Sequence, residues 1–245
     1  MLRLMHKLKL ASFPIVPEYL LLFKIPSDYC SSDDKLSKIV LSNSTVVDQI
    51  MKSLLDVAPG TYINDNTEWS SSMRNNALYV PRLSISSSFP PVLIEVQKQV
   101  DQNFMARLIT YFVNIFMRYK CYLFILVFCI DKVCQAVIDT FEQSKTKVNM
   151  FVTICYRWAK NCYLISNKVI NPTSNSKISN HMDPITTMQC FFGSQQRNIM
   201  VLDFHDDPMV TELYTITKNE TNMLMLAFPS WILWRQYLFH FWKPV

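Results

Sequence analysis

Residues 89–101, FPPVLIEVQKQVD, set two polar side chains two positions apart inside a short apolar run. Successive strand residues point to opposite faces, so Leu93, Glu95 and Gln97 share one face while Val92, Ile94 and Val96 share the other. Glu95 and Gln97 then stand roughly 7 Å apart at Cα, within reach of one metal ion or one water. The plain alternative is a strand with one solvated face, on which a pair of polar residues is ordinary.

Working outward, residues 77–85 and 92–97 read as two strands, and the Ser- and Pro-rich loop 86–91 between them suits a hairpin. Residues 44–57 place Val46, Val47, Ile50, Met51, Leu54 and Leu55 on one helical face, with Ser44 as N-cap and Pro59-Gly60 as the stop. Residues 103–120 read as a second helix. Residues 121–130 form an almost continuous apolar run of strand length, as expected for an internal strand. Residues 151–155 suit a further strand. Helices are expected to start at Asp183-Pro184 and Asp207-Pro208, where a capping carboxylate precedes a proline at the first helical position. This order gives an α/β fold, a mixed sheet flanked by helices. Residues 1–42, with Pro14, Pro17, Pro26 and a Ser/Asp cluster, read as an irregular lead-in to a domain spanning 43–222. An aromatic-rich tail follows at 223–245.

With 245 residues, half of them hydrophobic, the chain can bury a sizeable single core. Its net charge of +5 is compatible with a polyanionic partner but does not name one. Only Gly60 and Gly193 are present, which excludes GxGxxG dinucleotide turns, Walker-type phosphate loops and GxSxG elbows, since each needs several glycines. Seven cysteines without a CxxC pair read as reduced core thiols of an intracellular protein.

The run ALYVPRLSISSSFPPVLIEVQ, followed by FMARLITY, resembles the PD-(D/E)XK nuclease superfamily, in the transposase-like branch whose second signature is Glu-x-Gln instead of Glu-x-Lys. Arg107 and Tyr111 resemble the Arg-x-x-x-Tyr spacing of that branch. The resemblance covers about residues 44–165. It implies a restriction-endonuclease-like sheet, Mg²⁺ as cofactor and a nucleic-acid partner, DNA ahead of RNA. In such nucleases an Asp on the preceding strand and the Glu of the second motif hold a divalent cation, which polarises the phosphate and acidifies the attacking water. The Lys or Gln orients that water.

By this resemblance Glu95 and Gln97 are the catalytic residues, Glu95 is also a metal ligand, and Arg107 and Tyr111 contact the substrate. The first aspartate belongs within residues 73–76, and Asn76 stands there as a weakened ligand. An asparagine offers a cation a neutral oxygen without charge, so hydrolysis is expected to be impaired. Glu68, or the more distant Asp65, is the alternative source of a carboxylate. A non-catalytic nucleic-acid-binding or interaction domain on the same fold is the second expectation.

Arg107, Tyr111, Asn114 and Arg118 also form a helical stripe opposite much of the apolar set Phe104, Leu108, Phe112 and Ile115, which plainly read is a solvated face. Asp203, His205, Asp206 and Asp207 have metal-ligand chemistry, but their position suits a helix start better. A membrane-surface protein is the rival class. Residues 121–130 are half the roughly 20 residues needed to span, and Pro229 and Arg235 interrupt the tail, so no membrane span is expected.

Overall fold

The computed structural model describes residues 16–27, 29, 34–65, 76–83, 88–147, 149–155, 158–167 and 182–223. Their strands are β1 (Tyr62–Asp65), β2 (Ala77–Pro81), β3 (Val92–Val100), β4 (Phe124–Val133), β5 (Glu142–Gln143), β6 (Phe151–Ile154) and β7 (Asn161–Ser166). They form one sheet in the order β1-β2-β3-β4-β7-β6-β5. The β3/β4 and β4/β7 pairs are parallel, and the outer pairs are antiparallel. The sheet is therefore mixed. Its helices are α1 (Glu18–Leu21), α2 (Asp34–Ser42), α3 (Ser44–Leu55), α4 (Gln102–Tyr119), α5 (Gln135–Ile138) and α6 (Pro184–Ser194). Residues 208–223 form α7.

The apolar run of β4 follows from its place at the centre of the sheet, covered on both faces. Leu126, Phe128 and Ile130 face a core shared with α2, α3, α6 and α7. Ile125, Val127 and Cys129 face the second core, under α4. A parallel pair needs a crossover connection, and α4 supplies it between β3 and β4. Asp101 caps that helix by accepting from Phe104 N–H at 2.8 Å, and Lys120 ends it in the left-handed conformation. Asp183 and Asp207 both cap helices as expected, Asp183 accepting from Ile185 and Thr186 N–H and Asp207 from Met209 N–H.

Several expectations need correction. The lead-in is not wholly irregular, because residues 34–42 form α2 and bury Leu36, Val40 and Leu41. Its short apolar period was masked by the polar residues Asp34, Lys35, Ser37 and Lys38 on either side of Leu36. The cap of α3 is Asn43, whose side chain accepts from Thr45 N–H at 2.9 Å, rather than Ser44. β3 continues to Val100, since the register shift between Gln97 and Gln99 lets its polar end stay paired with β4. β1, β5 and β7 were not anticipated; β7 hides behind the tyrosine- and cysteine-containing run NCYLIS. Among the described residues, no helix is long and apolar enough to cross a membrane. Among the described residues no two cysteines are joined by a disulfide.

Candidate functional site

Antiparallel pairing of β2 with β3 sets Ala77 opposite Ile94, so Asn76, one residue earlier, arrives beside Glu95. Asn76 N–H donates to Glu95 Oε1 at 3.3 Å, and Asn76 Oδ1 accepts from Val96 N–H at 2.9 Å. The asparagine side chain thus continues the ladder where the β2 backbone stops pairing. Its amide nitrogen donates in the other direction, to Ser37 Oγ at 2.8 Å and Asp34 Oδ1 at 3.1 Å. Those two groups belong to the first turn of α2. Ser37 is anchored in turn by donating to Asp34 O, and Lys38 Nζ donates to Asp34 Oδ2 at 2.8 Å.

The strand alternation holds for the pair read from sequence. Glu95 lies beside Val127 and Gln97 beside Cys129, both on the α4 side of the sheet. Because α4 starts just after β3 ends, its second turn hangs over this part of the strand, and Arg107 Nη2 donates to Gln97 Oε1 at 2.7 Å. Glu95 is only 3% exposed and Asn76 only 6%, so they lie beneath the surface. Asp34, with its side chain 69% exposed, is the solvent-facing member of the cluster.

Burial pushes the Glu95 carboxyl up to about 8. Arg107 and the Asn76 N–H oppose that shift, Asp34 adds to it, and Lys38 opposes it. Glu95 is therefore a neutral acid at neutral pH. Tyr111 is raised by burial first and then, at the alkaline pH where Glu95 has lost its proton, by the charges of Glu95 and Asp34 with Arg107 opposing, which places its hydroxyl in the same electrostatic neighbourhood.

The expected stripe on α4 divides. Arg107 serves the site, but Tyr111 is buried in the core under α4 instead of lying on a solvated face, because the helix needs a wide apolar arc to cover the sheet. Asn114 is partly buried, and its Nδ2 has no hydrogen-bond partner among the described residues. Arg118, at the other end of the helix, pairs with Asp65 at 3.1 Å, and Tyr119 also donates to Asp65. Asp65 is thereby committed to holding α4 against β1. Glu68 lies outside the described residues. Asp34 was not anticipated. Its only sequence signal was a carboxylate opening a helical period, and nothing local linked it to residue 76.

A divalent cation would find Asp34 and Glu95 as the two carboxylates near Asn76. These residues do not fit it well. Glu95 is neutral, one lone pair of Asn76 Oδ1 is taken by Val96, and Asp34 is paired with Lys38. Among the described residues no group of three or more His, Cys, Asp or Glu is placed to hold a metal. Asp207 in particular spends its oxygens on Met209 and Met182 N–H. A separate cavity of about 290 Å³, lined by Thr45, Gln49, Asp207 and Glu212 among others, contains none of the site residues. No family model, no characterised protein and no solved structure matches the chain.

Proposed function

We propose that this chain is a nuclease-derived domain of PD-(D/E)XK type, with a restriction-endonuclease-like sheet, whose metal-dependent phosphodiester hydrolysis is impaired. The observation that carries this reading is the contact between Glu95 on β3 and Asn76 at the head of β2, with the Arg107–Gln97 pair beside them. That is where the resemblance wants an Asp, a Glu and an orienting Gln. The Asn occupies the Asp position and is used as a hydrogen-bonded latch between the strand pair and α2. Any hydrolysis would need Mg²⁺, for which Asp34 is the charged carboxylate and Glu95 would first have to lose its proton, and the nucleic-acid backbone would be met by Arg107.

The neutral state of Glu95 also favours a second reading, a non-catalytic nucleic-acid-binding domain on the same frame. One experiment separates the two. Cleavage of plasmid DNA is assayed in Mg²⁺ and Mn²⁺ with the wild type, Asn76→Asp, and Asn76→Asp combined with Glu95→Ala. The expected outcome is little or no wild-type cleavage, a gain in Asn76→Asp because a further carboxylate adds charge to the site, and loss of that gain in the double variant. Robust wild-type cleavage that survives Glu95→Ala would remove Glu95 from the mechanism. Cleavage lost on Glu68→Ala but unchanged by Asn76→Asp would move the ligand to residues 66–75. If no variant cleaves yet DNA binding weakens in Arg107→Ala, with a salt dependence reduced by about one ion, the binding reading stands alone.

A further inference from the structure

α4 covers the second core with one side and leaves the other in water. Phe104, Leu108, Tyr111 and Ile115 form the line buried against the sheet. A helix so placed ordinarily turns charged and polar residues to solvent on its opposite side. Here that side carries Ile109, Val113 and Met117, which are 45%, 48% and 63% exposed. Spaced at i, i+4 and i+8, they share one helical face and run roughly 12 Å along it. Tyr122 widens the strip just past the end of the helix. It is itself exposed, and its ring stacks on Phe112 at 6.0 Å and meets Phe116 at 5.5 Å. Singly exposed apolar residues need no explanation, but an ordered row of them along the outer crest of a helix marks a contact surface.

The charge around this crest has one sign. Between Asp101 and Asp131 the chain holds no acidic residue, and its cations there are Arg107, Arg118 and Lys120. Lys120, exposed at the end of α4, donates from Nζ to Met117 Sδ at 3.9 Å, which sets its ammonium at one end of the apolar row. Arg107 is exposed on the flank toward the other end, while Arg118 pairs with Asp65, which offsets part of its charge. We infer that the outer face of α4 docks on an anionic lipid surface. The helix lies in the plane of the headgroups, with Ile109, Val113 and Met117 inserted and Arg107 and Lys120 among the lipid anions, the arrangement that an apolar row flanked by cations favours. Tyr122 has the amphipathic ring that suits the same interface. Shape selects this occupant. A convex crest offers no groove for a partner's helix, and its few side chains fall well short of the roughly 20–30 residues per side of a stable protein interface. A second copy of α4 would bring like charges together. A fluid lipid surface needs neither a groove nor a matching partner face.

The test uses the full chain in sedimentation with vesicles of phosphatidylcholine alone or mixed with phosphatidylserine. Val113→Gln combined with Met117→Gln removes apolar surface at two exposed positions with a good helix former. Lys120→Asn is the milder variant; it removes one cation and keeps a residue type that accepts the left-handed backbone of position 120. The wild type should bind the mixed vesicles, bind phosphatidylcholine alone far more weakly, and be released by added salt. Binding should weaken about tenfold or more in the glutamine pair and about fivefold in Lys120→Asn. No wild-type binding to the mixed vesicles at low salt, or equal binding to both kinds of vesicle, would overturn the inference. So would binding that the glutamine pair leaves unchanged, which would place the lipid contact on another part of the chain. A wild-type dimer in light scattering that the glutamine pair abolishes, without vesicle binding, would assign the crest to a second copy instead.

Discussion

Asn76 spends both amide protons on α2 and one lone pair on β3, and Glu95 sits next to it with its carboxyl out of water. The consequence for Glu95 is measurable. In the unfolded chain its carboxyl loses its proton near 4.5, whereas in the folded protein it holds the proton to about 8. Between those values the native state binds more protons than the unfolded state, so this group's contribution to stability is fully present below the unfolded value and is lost as pH rises through the folded one. At about 1.4 kcal/mol per unit the total is several kcal/mol as an order of magnitude. A glutamine at this position cannot titrate. We therefore expect the unfolding free energy of the wild type, relative to Glu95→Gln, to fall steadily from roughly pH 5 to pH 8 in urea titrations. A difference that stays flat across that range would mean that Glu95 is ionised, and solvated, throughout.

At the scale of elements, α6 depends on one of the only two glycines. A Cβ on Gly193 would lie 2.7 Å from Asn167 Cγ, closer than real side chains approach, and its nearest neighbours are the amide atoms of Asn167. Asn167 cannot simply swing away without loss, because its Oδ1 accepts from Gln189 Nε2, which also donates to Cys129 O within β4. Gln189 is fully buried, and its own oxygen has no partner among the described residues. Alanine is intrinsically the better helix former by about 1 kcal/mol, so propensity and packing oppose each other here. The clash should win, with Gly193→Ala destabilising by about 1–3 kcal/mol and Gly193→Ala in an Asn167→Ala background recovering most of that penalty. Thermal unfolding of the three variants checks it. A rise in Tm for Gly193→Ala alone would show that α6 does not approach β7 this closely.

For the whole molecule, the two cores lie on opposite faces of the sheet, and β4, at its centre, contributes to both with a paired neighbour on each side. Its amides can exchange only when one of those layers opens, whereas β5, two exposed residues at the edge, is held by β6 alone. Amide hydrogen exchange should therefore be slowest in β4, slow in β3 and β7, and fast in β5. Exchange in β4 as rapid as in β5 would contradict the sheet order itself.

Local chemistry made much of this architecture legible in the amino-acid sequence. The period of two over residues 92–97 put Glu95 and Gln97 on one face, the unbroken apolar run marked an internal strand, and Asp-Pro pairs marked the starts of α6 and α7. Each of these signals lies within a few residues of what it determines. Tertiary structure alone decided the rest. Asp34 and Ser37 reach Asn76 from a helix that the polar residues between its apolar positions concealed, and β7 enters beside β4 from a segment with no strand signature strong enough to place it. Tyr111 is buried because α4 spreads across the sheet, although its spacing from Arg107 equally suits a solvated stripe. Glu95 is neutral because its protonation state depends on how much water and which charges surround it. Periodicity records which face of an element is apolar, but the partner of a buried polar group and the cost of its charge are set by residues brought close only when the chain folds.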